Sequence, residues 1–273
     1  MPFEFRPGHL YRMPAHFGPT PGPRQGPDGQ PFDWSEQPHR SLATVSFLSD
    51  AHSLQELLPP GFEIDGEPVV TIEVQHWTQL AWLAGRGYNT LGVKFPVRFT
   101  GKQDRAAGHF LAVLWENMPD AILSGREELG YNKIFASIEP PRIQQKAHTF
   151  SASWFGHRFV EIDINTEAEA PLGTAPRMPG DGILHFKYIP GTGEGAEPDA
   201  AYATLTPPGG KTRITRVQTG QGRARFLPTS WAQMPTQFHI INALAALPQL
   251  EWRTAYLVES IGARDLSDQR RLR

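Results

Sequence analysis

Alternation of apolar and polar residues, cut at short intervals by glycine and proline, is the feature that most limits what this chain can fold into. In VVTIEVQHW, residues 69–77, Val70, Ile72 and Val74 fall on one side of an extended chain, and Thr71, Glu73 and Gln75 fall on the other. LGVKFPVRF repeats the pattern with Val93, Phe95, Val97 and Phe99. HFLAVLWEN, HTFSASWF, RFVEIDIN and WRTAYLVES carry the aromatic and β-branched content of further strands.

Helical signals are few. HSLQELL is a short one. NMPDAILSGREELG offers Asn117 as N-cap, Pro119 in the first turn, Asp120 near the positive end of the dipole and Gly130 as a stop. TQFHIINALAAL places Phe238, Ile241 and Leu244 or Ala245 on one face and ends at Pro248. Together these predict an α+β fold: a large, mainly antiparallel sheet curled into a barrel or cone-like core, with a few short helices. FGPTPGPRQGPDGQP, residues 17–31, is too dense in Pro and Gly for helix or central strand. It predicts an irregular arm over 1–35 and a single domain over 36–273.

Composition excludes several function classes. With no cysteine, there is no disulfide scaffold, thiolate zinc site or cysteine nucleophile. A formal net charge of -2 gives no call for a nucleic-acid partner. The N-terminal segment lacks the apolar run of a signal peptide and no stretch reaches a membrane span, so the expectation is a soluble cytoplasmic protein without a membrane partner. PPGGKT at 207–212 has Leu205 where a phosphate-binding loop needs glycine, and GTGEGA at 191 lacks strand–helix context; both read as turns. No serine has glycine two residues before it, so there is no nucleophile elbow. The ten histidines form no metal-binding pair; His76, His109 and His157 read as strand or turn residues, and no metal site is expected. RVQTGQGRARF reads as a solvated loop.

Two residues stand out. Lys133 is one of only six lysines and lies between a helical segment and an apolar run. By residue type it is either an ordinary surface lysine or an amine kept neutral for attack on a carbonyl. Glu73 sits in mid-strand between Ile72 and Val74, on a face that is either wet or lines a polar cavity.

From HRSLATVSFLSDAHSLQELLPPGFEIDGEPVVTIEV through FPVRFTGKQDRAAGHFLAVLWENMPDAILSGREELGYNKIFASIEPPRI to PTQFHIINALAALPQLE, over about residues 39–260, the chain resembles the acetoacetate decarboxylase superfamily. DAILSGREELGYNK carries the most specific part. The resemblance implies that Lys133 is the Schiff-base lysine. It also implies that Arg40 is the substrate-facing arginine and Glu73 the first active-site glutamate. Two positions depart: Ile134 replaces the second lysine, and a second glutamate is expected near Thr90 in GYNTLG, where there is no carboxylate. The catalytic candidates are therefore Lys133 and Glu73, and the candidate substrate contacts are Arg40, Asn89, Thr90 and Tyr256.

A free lysine near pKa 10.4 must fall by roughly 3 to 4 units, on the order of 5 kcal/mol, to be neutral at pH 7. Ile134 removes the adjacent like charge, leaving burial by Ile134, Phe135 and parts of the sheet to supply the shift. The resulting iminium is an electron sink for loss of CO2 or for an enamine. With Thr90 in place of a carboxylate, the expected activity is a cofactor-free Schiff-base lyase on a small oxo acid, condensing pyruvate with an aldehyde and dehydrating the product, or the reverse. The alternatives are a β-oxo acid decarboxylase and, in another class, a non-catalytic small-molecule-binding protein. The family implies a homo-oligomer.

Overall fold

The structure, a computed structural model, describes residues 4–177 and 180–273. Its strands in chain order are β1 (His39–Leu48), β2 (Phe62–Ile64), β3 (Val69–Thr78), β4 (Tyr88–Thr100), β5 (Arg105–Glu116), β6 (Lys133–Phe135), β7 (Ser137–Ile138) and β8 (Arg142–Gln144). There follow β9 (Ala147–Trp154), β10 (His157–Glu169), β11 (Ile183–Ile189), β12 (Ala200–Thr206), β13 (Arg213–Phe226), β14 (Glu251–Trp252), β15 (Ala255–Ile261) and β16 (Arg270–Arg271). The helices are α1 (Ala51–Gln55), α2 (Pro119–Ser124) and α3 (Phe238–Ala245).

All sixteen strands form one sheet in the order β16-β12-β11-β5-β4-β3-β1-β15-β13-β10-β9-β7, with β2, β6, β8 and β14 as side branches. Among the described residues only β5–β6 and β5–β11 are parallel. The sheet is curled but not closed. Val93, Phe95 and Trp115 from one half share a core with Phe150, Phe159 and Ile162 from the other. Ile241 and Leu244 of α3 close that core. Each such side chain, fully buried, contributes about 1.5–3 kcal/mol.

Several elements differ from the sequence expectation. RVQTGQGRARF is not a loop but most of β13, paired with β10 and β15. Its inward positions include Gly220 and Gly222, where a Cβ would meet Asn165 or Val45 and Ala255, so the alternation is real but its apolar side chains are missing. β11 (ILHFKYI) and β12 (AAYATLT) are strands that the sequence expectation did not name. Asp50, not a residue of HSLQELL, caps α1 by accepting from Ser53 N at 2.7 Å. Asn117 does not cap α2; its Oδ1 accepts from Asn89 N at 2.8 Å, and Met118 holds the cap position.

Among the described residues before β1 the only regular element is one 3-10 turn, Ala15–Phe17. This segment is tied down at both ends. Arg12 pairs with Glu127 and Glu128, and Trp34 O accepts from Ala263 N at 2.9 Å.

Candidate active site

Because side chains alternate across a strand, register assigns each residue to a face. Val70, Ile72 and Val74 of β3 and Leu91, Val93 and Phe95 of β4 face the main core. The other face carries polar and titratable groups. One row across it reads Tyr256, Thr44, Glu73, Gly92, Leu114, Lys133, from β15 through β1, β3, β4 and β5 to β6. The next row holds Gln75, Thr90 and Glu116, and the one beyond holds Arg40, Trp77 and Tyr88. A register shift at Ala112 in β5 keeps Leu111 and His109 on this face with Leu114 and Glu116.

Lys133 is 7% exposed and Glu116 1%. Lys133 Nζ lies 2.9 Å from Glu116 Oε1, donates to Ala121 O at 3.0 Å and sits 5.3 Å from the Tyr131 ring centroid. The local backbone explains this placement. After α2 the chain makes one π-helical turn, Gly125–Leu129, and stops at Gly130, whose φ of 79° suits glycine. A Cβ on Gly130 would also press to 2.7 Å from Lys187 Cβ. Gly125 lies against the lysine stem, where a Cβ would be 2.4 Å from Lys133 Cε. The Arg126 guanidinium then donates to Lys133 O at 2.9 Å. Ile134 and Phe135 do not wrap the amine as expected. Ile134 packs on the main core from the opposite face, and Phe135 is 38% exposed.

Burial pushes the Glu116 carboxyl up, with Lys133 opposing. Burial drives His185 down to about 3, helped by the charge of Lys133. His185 stacks on Tyr131 at 3.9 Å and shares Thr206 Oγ1 with the Tyr131 hydroxyl. The phenols of Tyr88 and Tyr131 are both raised, by burial first. Glu116 Oε2, Thr90 Oγ1, Thr44 Oγ1, His109 Nδ1 and His185 Nδ1 are buried on this face without a hydrogen-bond partner. Buried polar groups are normally paired, so these five atoms leave hydrogen-bonding capacity on this face that the chain itself does not meet.

Across the row, Glu73 Oε1 is 2.6 Å from Lys94 Nζ. Arg40 Nε donates to Ser260 Oγ at 3.1 Å, and its guanidinium lies 5.3 Å from the Trp77 ring centroid. Lys133, Glu73, Arg40, Thr90 and Tyr256 therefore all lie on this face. Asn89 projects from the opposite face and donates to Ile138 O at 2.7 Å. Sequence reasoning missed Glu116, Lys94, Tyr131 and His185. For Glu116 a signal existed: Leu111 to Trp115 is unbroken apolar sequence, the mark of a strand covered on both faces. Among the described residues no group of three or more His, Asp or Glu is placed to hold a metal. No helix of the described residues is long and apolar enough to cross a membrane.

The family model for acetoacetate decarboxylase matches residues 12–255. The chain belongs to the acetoacetate decarboxylase family. It is 23% identical over 139 residues to an acetoacetate decarboxylase of Clostridium botulinum (strain Eklund 17B / Type B), a match spanning 48% of this chain and 54% of that one. The chain thus spans about half the length of the curated relative it matches. Its fold is similar to the crystal structure of acetoacetate decarboxylase from Legionella pneumophila subsp. pneumophila str. Philadelphia 1, with TM-score 0.64, 17% identity and coverage of 89% and 90% of the two chains. It is also similar to the enduracididine biosynthesis enzyme MppR complexed with the condensation product of pyruvate and imidazole 4-carboxaldehyde, with TM-score 0.58, 18% identity and coverage of 89% and 94%.

Proposed function

We propose that this chain is a Schiff-base-forming lyase that condenses pyruvate, or a similar small oxo acid, with an aldehyde and dehydrates the product, or runs the reverse. The observation that carries this reading is the buried Lys133–Glu116 pair, 2.9 Å apart, on the face that also holds Arg40 and Glu73. A proton leaving Nζ has an acceptor in Glu116, whose carboxyl burial raises. The neutral amine attacks the ketone carbon, protonated Glu116 returns its proton to the departing hydroxyl, and water leaves the iminium. The Glu116 carboxylate then removes a methyl proton to give the enamine. The enamine carbon attacks the aldehyde, loss of water makes the conjugated acid, and hydrolysis frees Lys133. Arg40 holds the carboxylate, which stays on throughout.

Decarboxylation of a β-oxo acid is the second reading. It is favoured by one observation: Glu116 supplies a carboxylate directly opposite Thr90, near which the family resemblance implies one. Decarboxylation needs no base to reach the enamine, whereas pyruvate chemistry does, and this base is already against the amine. The test is borohydride reduction with pyruvate, read by intact mass and peptide mapping. A single adduct on Lys133 supports Schiff-base chemistry; an adduct elsewhere, or none with a panel of oxo acids, refutes it.

A further inference from the structure

Beyond the Lys133–Glu116 pair, the same face carries a second ionic group that the proposed chemistry only partly uses. Lys94 projects from β4 one row below Glu73, and its side chain, like that of Glu73, is 15% exposed. Arg40 approaches Glu73 from the other side, and the charge of Glu73 acts on it. Glu73 is thus flanked by two cations, and the nearer one has taken it: Lys94 Nζ is 2.6 Å from Oε1, whereas Arg40 Nε donates to the neutral Ser260 hydroxyl. His109, on the same face, adds no charge at neutral pH, because burial and Lys94 push it to about 4. Arg40, Glu73 and Lys94 together carry one net positive charge. The row leads from this group to Lys133 across Gly92, which has no side chain, and Leu114. Two buried polar atoms beside the group, Thr44 Oγ1 and His109 Nδ1, have no partner. A purely structural ion pair accounts for the Lys94–Glu73 contact but not for unpartnered groups on both sides of it.

We propose that Lys94 is a specificity-determining residue. By engaging Glu73 it leaves the Arg40 guanidinium, and the net positive charge of the group, to an anionic group on the ligand, so that oxo acids are selected over neutral ketones. Without Lys94, Glu73 becomes the partner of Arg40 and the group is neutral. Lys94 touches no reacting atom and acts through Glu73 and Arg40. The inference rests on the reading that the face around Lys133 and Arg40 takes one small oxo acid, but not on covalent chemistry at Lys133.

The experiment is therefore equilibrium binding without borohydride. Pyruvate and acetone are titrated into the wild-type protein and into Lys94→Met, Lys94→Arg and Glu73→Gln, and followed by ligand-observed NMR. Lys94→Met should weaken pyruvate roughly tenfold or more and leave acetone unchanged, the size expected for losing a charge-assisted contact. Lys94→Arg should retain pyruvate affinity. Glu73→Gln should tighten pyruvate, an effect of opposite sign that does not depend on Lys94→Met folding well. Unchanged pyruvate affinity in Lys94→Met, equal weakening of both ligands, or no pyruvate binding by the wild type would each overturn the proposal. The expected pattern without any adduct on Lys133 would uphold Lys94 and sink the lyase reading, so the two fail separately.

Discussion

Glu116 stands directly across the β4–β5 ladder from Thr90, and its Oε1 meets the amine of Lys133 at 2.9 Å. The family resemblance implies a carboxylate near position 90. In this chain a carboxylate occupies the same patch of the sheet from the adjacent strand. Its second oxygen, Oε2, and Thr90 Oγ1 are both unpartnered. Glu116 is therefore held through one oxygen, by Lys133, and its other oxygen has no partner within the chain.

Glu116→Gln should separate base catalysis from imine formation. Glutamine keeps the shape and can still accept from Nζ, but it cannot take a proton. Exchange of the pyruvate methyl protons with deuterium, followed by NMR, should slow by about 10²-fold or more, the usual contribution of a positioned base. Trapping on Lys133 by borohydride should persist at a lower rate. Unaltered exchange would mean that another group removes the proton.

Gly125→Ala should disable the lysine without unfolding the protein. Gly125 has an ordinary right-handed helical backbone, so alanine fits the chain there. The new methyl would lie 2.4 Å from Lys133 Cε and 2.7 Å from Nζ. Those atoms are the flexible end of a side chain, so the lysine moves and the helix stays. Adduct formation should fall steeply while the thermal midpoint shifts little. A large loss of stability with normal labelling of the folded fraction would contradict this account of the cradle.

How far the site could be read from the sequence follows from which signals are local. Gly130 and the helical stretch before it are local, so the turn that presents Lys133 was legible, although the last turn is π rather than α. The alternation in β3 put Glu73 on the face away from the core, as the structure has it. The extra residue in β5 reverses its alternation at Ala112, which hides Glu116 and His109 from a simple period of two. In β13, Gly220 and Gly222 occupy inward positions that normally carry the apolar signal, and the strand passed for a loop. Ile134 illustrates the reverse error. Adjacency in sequence suggested that it shields the amine, but neighbours in a strand point to opposite faces, and Tyr131, Leu114 and Gly125 surround Lys133 instead.

Acid should destabilise the fold through two histidines on this face. His185 is held at about 3 and His109 at about 4, both mainly by burial, against an ordinary value of 6.5. A depressed histidine means that the unfolded chain binds the proton first. Its stabilising contribution is complete above pH 6.5 and is lost as pH falls towards the folded value. Each group costs up to about 1.4 kcal/mol per pH unit within that window. Glu116 acts in the opposite sense: its raised carboxyl favours the folded state at low pH and loses that contribution as pH rises. Urea unfolding between pH 7 and pH 4 should show falling stability, and His185→Asn should reduce the slope by about one proton. An unchanged slope would place the titrating groups elsewhere.

The choice between condensation and decarboxylation can be made on one preparation. Pyruvate with an aromatic aldehyde is followed by absorbance of the conjugated product, and acetoacetate by release of CO2. Beside Lys133 stands the Glu116 carboxylate, 2.9 Å from Nζ, which the proposed condensation uses as its base. There is no second cation at position 134, where Ile134 turns into the core. A decarboxylase gains from crowding the leaving carboxylate against negative charge, and here Glu116 is paired with the amine of Lys133 itself. Condensation should therefore exceed CO2 release, and Glu116→Gln should suppress condensation more than any residual decarboxylation, because only the former needs the base. Fast CO2 release from acetoacetate, undiminished in Glu116→Gln and without a conjugated product from pyruvate, would make the decarboxylase reading the correct one.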